Sequence, residues 1–241
     1  MAEYHKYVFD QEQRRLVGDF EGMYKAEDRD GFDSWRSHDT RALRLRLGLF
    51  LIADMNFANV LEVGCGKGTA AQFLKKKNNR VVGIDISGTA IEKARATFPD
   101  IDFRCMDARE IGRLAERFDL VCFQAVLAYI DGWKDVLATA AGMTEYCLVA
   151  EYIPADPIGM VKSIPELIGG FSESFDVIHR LVLDDEGAFL LGRSRRAPRT
   201  HGEKRGHYRN HLHATRLESL RLRRTRSAGL RRSLPATRPR L

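Results

Sequence analysis

The stretch Val60-Leu61-Glu62-Val63-Gly64-Cys65-Gly66-Lys67-Gly68-Thr69 is where this chain could do chemistry. An apolar run that reads as a strand passes directly into three glycines at alternate positions and then into a helical stretch. Glycines so placed let the backbone turn sharply and approach a ligand more closely than any Cβ would permit, and the helix beyond them offers its first N–H groups. A nucleotide-like ligand suits such a turn, in the crevice at the carboxyl ends of the strands of an open α/β sheet. Spacing then separates the ligand classes. A dinucleotide fingerprint begun at Gly64 and Gly66 needs Gly or Ala at position 69, where Thr69 stands. A phosphate-binding loop needs Ser or Thr directly after Gly66-Lys67, where Gly68 stands.

What remains, Glu-x-Gly-x-Gly-x-Gly from Glu62 to Gly68, resembles the first motif of the class I S-adenosylmethionine-dependent methyltransferases. The order continues along the chain. Gly83-Ile84-Asp85-Ile86-Ser87 closes a second strand, with Asp85 23 residues after Glu62, and Met106-Asp107-Ala108 closes a third. Phe118-Asp119-Leu120-Val121-Cys122-Phe123-Gln124-Ala125-Val126-Leu127 is similar to the family's fourth motif. Together the four matches cover residues 59 to 130. The resemblance implies a Rossmann-like fold, S-adenosyl-L-methionine as cofactor, and methyl transfer. It implies that Gly64, Cys65, Gly66, Gly68 and the nearby backbone hold the methionine moiety, and that Glu62 braces the loop or reaches the cofactor's amino group. Asp85, with Ile86 beside it, would accept both ribose hydroxyls as paired hydrogen bonds. Asp107 and Ala108 would lie near the adenine amino group, and Gln124 and Ala125 would line the active-site wall. Plain structural roles compete: a strand-end carboxylate satisfied by backbone N–H groups for Glu62, and a helix or loop cap for Asp107.

Methyl transfer from a sulfonium is a direct displacement with a good leaving group, so an enzyme mainly aligns the reacting atoms and excludes water. A base is needed only for a proton-bearing acceptor of high pKa. Candidates at the mouth are His38, Tyr129 and Glu151, with Tyr152 nearby and Trp35 as a wall or lid; each has an ordinary alternative as a cap, surface or packing residue. No Asn/Asp-Pro-Pro-Tyr/Phe follows the fourth strand, where Phe123-Gln124-Ala125-Val126 stands instead, which removes support for exocyclic-amine chemistry on nucleic acids. A small-molecule N or O acceptor is favoured. The N-terminal third is similar to the nodulation-protein-S-like branch acting on amino sugars, without a diagnostic motif.

These residues require an α/β, doubly wound, seven-stranded, mostly parallel sheet to position them, with one antiparallel strand from a C-terminal hairpin. Short apolar runs predict strands at 59–63, 80–85, 101–106, 118–123, 145–151, 175–183 and 187–193. Helices are expected at 69–77, 88–97, 131–141 and 158–168. Ahead of the sheet, Leu16, Val17, Phe20, Met23 and Tyr24 stand at helical spacing and predict a helix over 11–27, and a second is expected over 40–53. The chain therefore divides into an N-terminal helical cap (1–58), a cofactor-binding core (59–194) and a tail (195–241).

The formal charge of +6 hides a segregation. Residues 193–241 hold 16 basic groups, 15 of them Arg, against Glu203 and Glu218, while residues 1–192 hold 31 acidic and 23 basic groups. The acidic body argues against a polyanionic substrate. The tail, without Val, Ile, Phe, Met or Trp, cannot bury enough apolar surface to order itself and reads as disordered. It could serve as an RNA-binding arm, giving an RNA methyltransferase as the competing reading, or be an uninformative extension such as an out-of-frame reading of a GC-rich gene would give; a catalytically silent binding protein of the same fold is a further alternative. Four widely spaced cysteines, with no CxxC pair, suggest reduced thiols packed in the sheet and no metal site. Without a secretion signal or membrane span, a soluble, cytoplasmic protein with no membrane partner is expected.

Overall fold

A computed structural model describes residues 5–36, 39, 41–184 and 186–196, all within one compact unit, Met1–Pro198. His38 and the tail beyond 196, with its expected disorder, lie outside the described residues. The N-terminal segment opens on a single helical turn, α1 (His5–Val8), and a two-stranded ribbon, β1 (Phe9–Asp10) and β2 (Arg15–Leu16). It continues into helix α2 (Phe20–Asp30). The helix expected over 11–27 is thus corrected, because local polar chemistry overrides the apolar spacing. The Asp10 carboxylate accepts from the N–H groups of Glu12 and Gln13 and turns the chain back, so that Phe9 pairs with Leu16. Gly18 then takes φ +71°, and the Asp19 side chain caps α2 by accepting from Gly22 N at 2.9 Å. Helix α3 (Leu43–Phe50) is shorter than expected, because Leu51 to Asp54 form turns.

From Asn59 the chain alternates strand and helix: β3 (Asn59–Val63), α4 (Thr69–Leu74), β4 (Arg80–Asp85), α5 (Gly88–Thr97), β5 (Asp102–Cys105), β6 (Phe118–Gln124), α6 (Trp133–Met143) and β7 (Thr144–Tyr152). Helix α7 (Ile164–Ser174) and the hairpin β8 (Phe175–Leu183) and β9 (Gly187–Ser194) follow. Helix α7 begins six residues later than expected, where Ser163 caps it and Pro165 fits its first turn. The sheet order is β5-β4-β3-β6-β7-β9-β8; β9 is antiparallel to both its neighbours and the other strands run parallel. One face is covered by α6 and α7 through Trp133, Leu137, Leu167 and Phe171, and the other by α3, α4 and α5. The strand order reverses between β3 and β6, which places the crevice beyond Val63 and Gln124. Cys65, Cys122 and Cys147 are buried, whereas Cys105 at the edge strand is exposed. Among the described residues no helix is long and apolar enough to cross a membrane.

Helix α2 is clamped over this crevice by two carboxylates. Glu21 accepts from Ser87 Oγ at 2.6 Å and from Thr89 Oγ1 at 2.8 Å, and chiefly the Ser87 bond lowers its pKa to about 2. The buried Glu27 receives Lys67 of the glycine turn at 2.9 Å, Lys93 of α5 at 3.0 Å and the Ser34 N–H at 2.8 Å. Removing one partner of a buried ion pair strands the other charge. Glu27→Ala is therefore expected to destabilise the protein by about 3 kcal/mol. The same change should raise amide exchange in residues 5–36 before the sheet opens; unchanged protection there would refute the clamp.

Candidate functional site

The parallel strands end on one side of the sheet, and the sequence-predicted residues come together there. The Gly64 and Cys65 N–H groups both donate to Ile84 O, at 2.8 and 2.9 Å, tying the glycine turn to β4. Glycine is obligatory at two points. Gly64 has φ +71°, and a Cβ there would lie 2.3 Å from Val126 Cγ2; Gly66 has φ +51°, and a Cβ there would lie 2.7 Å from the Tyr24 hydroxyl. Cys65, between them, is buried, and burial pushes its thiol well up, so it packs rather than reacts. Gly68 opens α4 from a left-handed conformation.

Asp85 closes β4 with its carboxylate aimed back at the turn: Oδ2 accepts from Gly66 N and Oδ1 from Ser87 N, each at 2.9 Å. Burial raises its pKa and these N–H groups lower it, and each oxygen keeps a lone pair for a further donor. Beside it Ile86 is 52% exposed, an apolar shelf at the mouth of a polar turn. Asp107 caps the 3₁₀ turn Ala108–Leu114 and is paired with Arg109 at 2.5 Å, which holds its carboxyl below the ordinary value. The capping role named as the alternative for Asp107 is thus filled, and Ala108 packs partly buried behind it.

Glu62 is the most unusual group. It is buried in the middle strand, accepts from the Ala71 N–H, and leaves Oε2 with no partner. Burial first, and the charge of Asp85 second, push its pKa up to about 8. A buried polar atom left open beside a glycine turn marks a place where a ligand donor belongs.

Across the switch point, Gln124 ends β6 with its Nε2 buried and unpartnered, and the exposed Ala125 takes φ +52°. Glu151 is buried at the end of β7, with its pKa raised by burial to about 7. Its Oε1 accepts from the N–H groups of Val126 and Leu127 at 2.7 and 2.6 Å, so this carboxylate shapes the turn after β6. Tyr129, in that turn, is surrounded by the rings of Trp35, Phe20 and Phe9 at 5.3, 5.7 and 5.8 Å. Tyr152 bonds Glu186 through its hydroxyl and carries the Arg44 guanidinium 3.8 Å over its ring. Among the described residues no group of three or more His, Cys, Asp or Glu could hold a metal ion. Sequence reasoning placed Tyr24 on an inward helical face and missed that its hydroxyl would meet Gly66. It missed Glu21 and Glu27 altogether; a charged residue held by distant partners leaves no periodic signal.

The comparisons with known proteins agree with this geometry. The family described as a methyltransferase domain matches residues 60–145. Among curated relatives, a malonyl-[acyl-carrier protein] O-methyltransferase of Hamiltonella defensa is 30% identical over 90 residues, 37% of this chain and 35% of that protein. A ubiquinone biosynthesis O-methyltransferase of Rhizobium etli is 31% identical over 88 residues, 35% of this chain and 36% of that protein. The chain thus spans about a third of the length of these relatives. The crystal structure of N-methyltransferase NodS from Bradyrhizobium japonicum in complex with S-adenosyl-L-homocysteine superposes with a TM-score of 0.61 at 21% identity, covering 71% of this chain and 98% of that one. The fold is Rossmann-like α/β, and within it residues 60–145 resemble a methyltransferase domain.

The raised pKa of Glu62 sets a pH dependence. Between about 4.5, its ordinary value, and about 8, the folded state holds a proton that the unfolded state has released, so stability falls as pH rises through that window. Glu62→Gln removes this slope. The variant is expected to gain on the wild type by a few kcal/mol (about) between pH 5 and pH 9 in denaturant titrations, and a constant difference would refute the assignment.

Proposed function

We propose that this chain is an S-adenosylmethionine-dependent methyltransferase acting on an N or O atom of a small molecule. The observation that carries the reading is the open Glu62 Oε2 beside the glycine turn, with Asp85 and Ile86 one strand away. These groups fit the cofactor part by part. Glu62 would receive its ammonium, the backbone of Gly64, Cys65, Gly66 and Gly68 would hold its methionine moiety, and the free lone pairs of Asp85 would accept the two ribose hydroxyls. Ile86 would pack on the adenine, with Asp107 and Ala108 at its edge. When bound, the cofactor supplies an electrophilic methyl group.

The chain's own residues then have modest tasks. The turn from Gln124 to Tyr129, held by Glu151, shapes the wall past which an acceptor enters, and the aromatic group of Phe9, Phe20, Trp35 and Tyr129 excludes water on that side. Gln124 Nε2, buried and without a partner, would orient an acceptor oxygen. A small acceptor is supported by the O-methyltransferase and N-methyltransferase names of the proteins this chain resembles.

Calorimetric titration of S-adenosylhomocysteine into the full chain tests the cofactor assignment. Loss of two hydrogen bonds to a charged acceptor makes Asp85→Ala expected to weaken binding by on the order of a hundredfold. Equal affinity in the variant, or no heat from the wild type, would overturn the reading.

A further inference from the structure

The Tyr24 hydroxyl lies against the glycine turn at Gly66. It faces Gly66 so closely that a Cβ there would stand 2.7 Å from it, and Asp85, Glu27 and Cys65 are near enough to act on it electrostatically. The ring is 4% exposed, so the hydroxyl cannot turn away into solvent. The Trp35 side chain packs against the same buried cluster as Tyr24. Trp35 is held at φ +61°, a left-handed conformation that a bulky side chain adopts only when its surroundings impose it. Those surroundings lead back to the same turn. Lys67, between Gly66 and Gly68, donates to Asp33 at 2.7 Å and to Glu27 at 2.9 Å, and Glu27 in turn accepts from Ser34 N at 2.8 Å. Both residues preceding Trp35 are therefore fastened, directly or through one carboxylate, to the glycine turn. On its other side Trp35 lies against Tyr129, in the turn after β6 that forms the acceptor wall.

We propose that Tyr24 is a positioning residue whose hydroxyl senses occupancy of the glycine turn and passes it, through the packing of Trp35 in the same cluster, to the aromatic wall on the acceptor side. A ligand seated against Gly66 meets the Tyr24 hydroxyl and displaces it; Trp35, packed in the same cluster, moves with it, and its ring against Tyr129 shifts. The acceptor wall is thereby set only when the cofactor is in place, which gives the two ligands a preferred order. This inference rests on the cofactor reading above.

The chain has two tryptophans, Trp35 and the buried Trp133, so Trp133→Phe leaves Trp35 as the only indole reporter. S-adenosylhomocysteine titrated into full-length Trp133→Phe is expected to change the emission of Trp35 along a saturable curve whose midpoint matches the calorimetric Kd. Trp35→Phe, which keeps Trp133, should bind with heat and little change in emission. Adding Tyr24→Phe to Trp133→Phe should keep binding while losing at least half of the emission change. Heat of binding without a change in Trp35 emission, or a full change in the Tyr24→Phe background, would overturn the coupling and leave the cofactor reading standing. Absence of heat in every variant would overturn the cofactor reading, and the coupling with it. Circular dichroism of each variant identifies any that fails to fold; if Trp133→Phe does, the wild type compared with Trp35→Phe gives the same reading.

Discussion

The hydrogen bond from Gly66 N to the Asp85 carboxylate fixes the geometry on which the crevice depends. It joins the ends of two adjacent parallel strands and holds the glycine turn open in front of them. Two further N–H groups, those of Gly64 and Cys65, converge on Ile84 O to the same effect. The arrangement works because no Cβ intervenes: a side chain at Gly64 would meet Val126, and one at Gly66 would meet Tyr24. The turn is thus packed from both sides, by the loop after β6 and by the N-terminal helix. A change at the turn is felt by both the core and the cover.

Three buried carboxylates, Glu62, Asp85 and Glu151, stand at the same end of the sheet. Burying a charge without compensation is unfavourable, and the three are compensated differently. Glu151 is satisfied by backbone N–H groups and stiffens the turn it holds. Asp85 is satisfied for now but retains accepting capacity toward the crevice. Glu62 is satisfied on one oxygen only, and burial keeps it protonated at neutral pH. The gradient from closed to open follows position: the carboxylate that shapes the wall is complete, while the two beside the glycine turn are not. Stability surrendered at Glu62 is what a cationic ligand group can restore.

The core was legible because its signals are local. Strands β3, β4 and β8 begin and end where their apolar runs do, and the glycine motif lies between one strand and one helix as its spacing requires. The N-terminal segment was misread where two local signals disagreed. Leu16 and Val17 keep helical spacing with Phe20, but Asp10, Gly18 and Asp19 impose a turn, a left-handed residue and a cap, and the shorter-range chemistry won. Asp107 could be placed at a strand end from sequence; its pairing with Arg109, two residues on, was equally local and passed unnoticed. What no local signal could give is Glu27, whose lysine partners Lys67 and Lys93 are 40 and 66 residues away.

That difference bears on where specificity resides. Under the proposed function the glycine turn, Asp85 and Ile86 would recognise parts of a cofactor that do not change from one acceptor to the next, so a short contiguous motif suffices for them. The aromatic wall is built from positions 9, 20, 35 and 129, brought together only when the ribbon, α2 and the turn after β6 dock on one another. Its shape depends on the cover being seated, and the cover is seated by ion pairs to the glycine turn itself. The glycine turn and the aromatic wall therefore share a mechanical support in Lys67, which lies inside the motif but points away from the sheet toward Glu27 and Asp33. A lysine in that position does not complete a phosphate-binding loop; it joins the glycine turn to the N-terminal cover, and with it to the aromatic wall.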